Sequence, residues 1–128
     1  MRNKLQCHIL FTFRKGPWGG CNQFLTALRE QLRRSGNWAE SPEMADIILI
    51  DSFNNAAEAI RWKRRLPATL FIHRIDGPIS LYQGRGRYLD HLIHAIGTRI
   101  ADGVVFQSEY SKIANLSLGM PHPRLACV

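Results

Sequence analysis

Cysteine is scarce in this sequence: three residues in 128, at positions 7, 21 and 127. The number is odd and no Cys-x-x-Cys pair occurs, which argues against a disulfide framework and against a cysteine-bound zinc. Reduced thiols in a cytoplasmic protein are the expectation. Long apolar runs are also missing, and none approaches the roughly 20 residues that cross a bilayer. The start "MRNKLQCHILFTF" is basic and then apolar but lacks a small-residue cleavage site, so a core strand is expected there rather than a signal peptide. Neither Gly-x-Gly-x-x-Gly nor Gly-Lys-Ser/Thr occurs, which removes the dinucleotide fingerprint and the Walker A loop. No Ser–His–Asp or Cys–His arrangement follows from spacing, and no repeat, low-complexity tract or internal linker interrupts the chain.

Acidic residues are the last shortage. Ten Asp and Glu face seventeen Lys and Arg, a formal net charge of +7. Such an excess suits nucleic acid, an anionic membrane or phosphorylated small molecules, and charge alone does not choose among them. The chain carries no RNP-like aromatic signature and no helix-turn-helix pattern, so no specific nucleic acid is expected as a partner.

What is present is alternation. Apolar runs at residues 5–13, 46–50, 69–73 and 103–107 read as strands covered on both faces, with a last one beginning at 125–128. Between them, residues 23–34 place Phe24, Leu25, Leu28 and Leu32 on one helical face and stop at Ser35 and Gly36. Residues 54–65 form a second helix candidate ended by Pro67. Residues 87–101 form a third, striped by Leu89, Leu92, Ile93, Ile96 and Ile100. Residues 108–118 form a fourth, with Ser108 as N-cap, Ser111 in the first turn and a stop at 119–121. A weak edge strand falls near 37–40. Strands alternating with helices predict a single α/β domain, a Rossmann-like, doubly wound and mostly parallel sheet.

Ligands of such sheets bind beyond the carboxyl ends of the strands, and here those ends carry unusual residues. After the first run comes "KGPWGG", where Gly19 and Gly20 can bring backbone N–H groups to an anion at a helix N-terminus. A plain turn needing glycine geometry reads equally well. After the third comes "HRIDGP": His73 is expected to point into the crevice, and Asp76 either contacts ligand or bonds nearby amides. "YQGRGR" offers Arg85, whose fork suits phosphate or carboxylate, in what is also an ordinary solvated loop. "RWKRR" sits late in a helix, where cations favour the negative end of the dipole. "DHLIH" sets His91 and His94 one turn apart with no third metal ligand in pattern, and His8 alternates within the first strand as a core residue.

The ordered set "KGPWGGCNQFLTALREQLRRSG", "ADIILIDSF", "FIHRIDGPISLYQGRGRYLD" and "ADGVVFQSEYSKIANLSLG" resembles the N-terminal half of GT-B glycosyltransferases, especially glycosyltransferase family 4. The resemblance implies an acceptor-side Rossmann-like domain over residues 1–128. The partner domain, which binds a nucleotide-sugar donor, is missing from this chain. It implies retaining hexosyl transfer to a saccharide or lipid acceptor, with no cofactor and no metal. It assigns Gly19 and Gly20 to the loop facing the donor diphosphate, His73 to the loop near the transferred sugar as the catalytic candidate, and Ser108 to the serine after a later strand. Asp76 and Arg85 complete the candidate substrate-binding set. The basic excess would then face phosphates in the cleft or a membrane at which the protein sits peripherally. Half a cleft cannot position both reactants, so this chain alone is expected to be inactive. The alternative is a non-catalytic Rossmann-like module that binds a phosphorylated small molecule.

Overall fold

The computed structural model describes residues 4–128; the first three residues of the basic start lie outside the described residues. Apolar strands need cover on both faces, and the element order supplies it. In sequence come β1 (Cys7–Leu10), α1 (Gly19–Ser35), β2 (Ile47–Asp51), α2 (Ala56–Arg65) and β3 (Leu70–Ile75). A helical pair α3 (Ile79–Gln83) and α4 (Arg87–Ala95) follows, then β4 (Gly103–Phe106), α5 (Glu109–Ser117) and β5 (Ala126–Cys127). All pairings are parallel, in the order β1-β2-β3-β4-β5. The domain is α/β and Rossmann-like, as the alternation predicted.

One isolated contact sets the topology. Trp38 bridges Cys7 in parallel, while Cys7 also pairs with Ile47 of β2, so Trp38 lies on the opposite side of β1. The chain therefore steps outward from β1 to Trp38, returns past β1 to β2, and then proceeds the other way across the sheet. The expected edge strand at 37–40 contracts to this bridge. The reversal is a topological switch point between β1 and β2, the place where open α/β sheets form their ligand crevice.

The two directions of travel put helices on opposite faces, as right-handed crossovers require. One face carries Leu10, Ile48, Ile50 and Phe71, packed against Ala59 and Trp62 of α2 and against Ile96 and Ile100. It continues through Ile75, Val104 and Phe106, packed against Ile93 of α4, Leu116 of α5 and Met120. The other face carries Ile9, Asp51 and Arg74, and α1 lies over it with Leu25 fully buried. Phe24 departs from the expected apolar stripe: it is 45% exposed because it turns toward Arg74 and stacks on that guanidinium at 4.4 Å.

Three boundaries differ from expectation. β1 stops at Leu10, three residues early. β3 runs on through Arg74 and Ile75 because Arg74, opposite Asp51 in the register, is neutralised by it. The expected helix at 87–101 ends its α-helical part at Ala95 and finishes as a π-helical turn, Ile96–Ile100. Gly97 sits in that turn against β3, where a Cβ would meet Met120 at 3.0 Å and His73 at 3.2 Å. The close approach of turn to sheet requires glycine there.

α3 is only five residues long and is held from outside. The carboxylate of Asp90 on α4, 1% exposed, accepts from the amides of Ile79 (2.7 Å) and Ser80 (3.2 Å) and from the Ser80 hydroxyl. Asp90→Ala would leave those donors buried and unpaired. It is expected to lower the free energy of unfolding by about 2–4 kcal/mol, read as a lower urea midpoint with an unchanged m-value.

Candidate functional site at the switch point

The carboxyl ends of β1 and β2 open on a cleft of about 500 Å³ whose walls include Thr12, Arg14, Trp18, Cys21 and Asn55. Two of its lining residues, Cys21 and Asn54, hydrogen-bond to a buried ionic cluster behind it. Asp51, the last residue of β2, is 1% exposed. It accepts from Arg74 Nη1 at 2.8 Å, from the Cys21 thiol at 2.9 Å and from Asn54 Nδ2 at 3.3 Å. The same Nη1 lies 3.0 Å from Asp76 Oδ1, a charge contact without hydrogen-bond geometry. One guanidinium thus joins the ends of β2 and β3, and Phe24 of α1 lies over it. Burial pushes the Cys21 thiol up to about 12, with the hydrogen bond and charge of Asp51 adding to it. Cys21 is therefore a thiol that donates to a carboxylate, and it is no nucleophile at neutral pH. Burial also raises the Asp76 carboxyl, against the pull of Arg74 and with the push of Asp51.

The loop after β2 is strained. Ser52 and Asn55 have φ of +52° and +57°, in the left-handed region that side-chain-bearing residues seldom adopt. Ser52 is held there at both backbone groups: its amide donates to Arg74 O at 2.9 Å, and its carbonyl accepts from His73 Nε2 at 2.7 Å. His73 is thus located, but not where expected. It lies inside β3 and is fully buried, on the face that carries Ile50 and Val104, so its ring does not point into the crevice. The strand runs two residues past it, and this carries the polar turn onward to Asp76. With Nε2 donating, Nδ1 is left as a buried acceptor without a partner, beside Gly97. Contact with a sugar would require the core to open; the action of His73 on the crevice runs through Ser52.

The glycine loop is at the crevice mouth. Gly19 has φ of +67° and begins α1; Trp18 precedes it and caps nothing through its side chain, and no acid lies in the first turn. The first amides of a 17-residue helix are left open at the switch point. Ser108 caps α5 by accepting from the amide of Ser111 at 3.1 Å, as expected for an N-cap. Its hydroxyl is at the carboxyl end of β4, away from the β1–β2 cleft. Arg85 is exposed in the α3–α4 turn and makes no ion pair with another described residue. The structure brings Gly19 and Gly20 to the crevice, sets Asp76 at its β3 side, and leaves Arg85 and Ser108 outside it.

His91 and His94 diverge. His91 is exposed, whereas His94 is buried and meets Asn115 Oδ1 at 3.0 Å. Among the described residues no group of three or more His, Cys, Asp or Glu side chains is placed to hold a metal. The Asn115 amide also donates to Asp76 O at 2.9 Å, so α5 pins the turn after β3. That role has no sequence signal beyond an Asn in an apolar helix. Exposed aromatic rings rim the same edge: Trp18 after β1, Phe53 after β2, Tyr82 in α3, and Tyr110 in α5 at 3.4 Å from a Cβ placed on Gly77. Flat, exposed rings of this kind suit the apolar faces of sugars.

Among the described residues no helix is long and apolar enough to cross a membrane. No family model, no curated protein and no solved structure matches the chain. Function must be read from the site.

The geometry makes a pH prediction. Burial pushes the His73 imidazole down to about 4 from its ordinary 6.5, with the Ser52 hydrogen bond and Asp51 opposing. The unfolded chain takes up this proton below pH 6.5, the folded chain only near pH 4. Stability is therefore complete above pH 6.5 and falls as the pH drops through 4. The expected loss from this residue is about 3 kcal/mol, at the roughly 1.4 kcal/mol that a tenfold change in proton affinity represents. Urea midpoints from pH 7 to 4 check it: the wild-type slope should flatten in His73→Gln, whose side-chain amide can still donate to Ser52.

Proposed function

We propose that this chain is the acceptor-side half of a GT-B glycosyltransferase, whose parent enzyme transfers a hexose with retention from a nucleotide sugar to a saccharide or lipid acceptor. The observation that carries the reading is Gly20. Gly19 needs its positive φ, so backbone geometry explains it. Gly20 has no such φ, and a Cβ built on it meets nothing within 4 Å. In a helix glycine is roughly 0.5–1 kcal/mol worse than alanine, so the fold gains nothing from Gly20. A bare backbone at an open helix N-terminus is what a diphosphate needs in order to approach closely.

In this reading the first amides of α1 take the charge that develops on the departing diphosphate, a preorganised electrostatic stabilisation. The rim of aromatic rings holds the acceptor sugar. His73 and Arg74 act as positioning residues: the first fixes Ser52 and the second ties Asp51 to Asp76, so the crevice keeps its shape as reactants come and go. No side-chain nucleophile is required, in keeping with the thiol state of Cys21. A nucleotide-sugar half would close over this edge from outside the chain. The open helix terminus equally supports a binding module for a phosphorylated small molecule, which would take its ligand without a second half.

Gly20→Ala separates structure from function. The variant is expected to match or exceed wild-type stability by up to about 1 kcal/mol. Binding of UDP- or GDP-hexose, followed by amide shifts at Gly19, Cys21 and Ser52, is expected to weaken at least about tenfold. Unaltered affinity in the variant, or no shift at these amides in the wild type, overturns the proposal. Equal binding of a nucleotide sugar and a simple sugar phosphate at these amides favours the binding module.

A further inference from the structure

We propose a second ligand site beside the switch-point crevice, with Arg14 and Asn22 in the wall between them: the cleft between the loop after β1 and the flank of α1 turned away from β3 binds a phosphate ester. The proposal stands whether or not the crevice transfers sugar. The cleft measures about 620 Å³, and its charged walls are Arg14, Lys15 and Arg29, with no acidic side chain among its lining residues. Three cations elsewhere on the molecule are matched by acids: Lys63 pairs with Asp102 at 2.7 Å, Arg74 with Asp51 at 2.8 Å, and Arg33 with Glu30 at 2.9 Å. Arg14 and Lys15 make no ion pair with any described residue. Arg29 has only Glu30 at 3.8 Å, too far to hydrogen-bond, and its Nε–H is buried with no partner.

The two guanidiniums are held in place rather than free to sweep through solvent. The Arg29 guanidinium lies 3.9 Å from the centre of the Phe13 ring, and that of Arg14 lies 5.0 Å from the centre of the Trp18 ring. Asn22 clamps the loop to the helix, accepting from the Arg14 amide and donating to its carbonyl, each at 2.9 Å. Asn22 is buried, so this clamp is shielded from competing water. Thr26 completes the wall. Two guanidiniums fixed by rings and an exposed lysine around one opening repel one another until an anion enters, and guanidinium forks match phosphate oxygens. A dianionic phosphate ester balances more of that charge than a carboxylate does. Such an ester is carried either by a soluble sugar phosphate or by a lipid headgroup, and the test separates the two.

The chain is titrated with glucose 1-phosphate, with glucose, and with vesicles of neutral lipid containing phosphatidic acid, and amide shifts are followed. Glucose 1-phosphate is expected to shift Phe13, Thr26 and Ala27 saturably, with glucose silent. Lys15→Gln and Arg29→Gln should each weaken binding by about tenfold or more, with the rest of the spectrum preserved. Lys15 is exposed on a loop and cannot upset the core, so it keeps the test valid if Arg29→Gln folds poorly. Gly20→Ala should leave this binding intact, which separates its failure from that of the proposed transferase. Binding to the phosphatidic acid vesicles alone, lost in both variants, assigns the phosphate to a lipid. No saturable binding to either probe overturns the site, as does binding that survives both substitutions or centres on Gly19 and Ser52.

Discussion

A carboxylate with almost no exposure must be compensated, and the arrangement around Asp51 follows from that need. Removing one partner of a buried ion pair typically costs about 3–5 kcal/mol, because the remaining charge is stranded away from water. Arg74 meets the need from the neighbouring strand, and it does so because the parallel register places it directly opposite. Cys21 of α1 and Asn54 of the loop after β2 use the remaining acceptor capacity. Three segments that are distant in sequence, α1, the end of β2 with its loop, and β3, are thereby fixed at one point on the carboxyl edge. The cluster also sets chemistry aside, since the thiol it holds is kept protonated.

Around that point the two faces of the sheet differ. The face under α2, α4 and α5 is a mainly apolar core that also buries His73, whose ring reaches the strained Ser52 carbonyl, and the His94–Asn115 pair. The other face is covered by α1 over β1 and β2, with Leu70 on the same face of β3 52% exposed. Strain and polarity thus concentrate beside the switch point while the opposite face provides stability. This is the division expected when a rigid scaffold holds a binding edge.

The basic excess is unevenly neutralised. Lys63, Arg74 and Arg33 each pair with an acid. Around the loop after β1, Arg14 and Arg29 rest on aromatic rings, and the nearby helix terminus is left without an acid or a side-chain cap. An edge with that field attracts phosphate-bearing ligands, which both the crevice and the cleft beside it would use.

Periodicity determined much of this protein. Runs of apolar residues with helical patterns between them are enough to specify an α/β parallel domain. Local signals marked real ends, such as the αL cap at Gly36 and the Ser108 cap of α5. These features depend on neighbours within a turn or two, so the linear order contains them. The side to which His73 points, the extension of β3 past it, the pairing of Asp51 with Arg74 and the turn of Phe24 off the core stripe were decided by tertiary structure alone. Each depends on strand register and on which helix lies over which face. Asp51 and Arg74 are 23 residues apart in sequence yet hydrogen-bonded in the sheet, and only the folded chain brings such residues within reach.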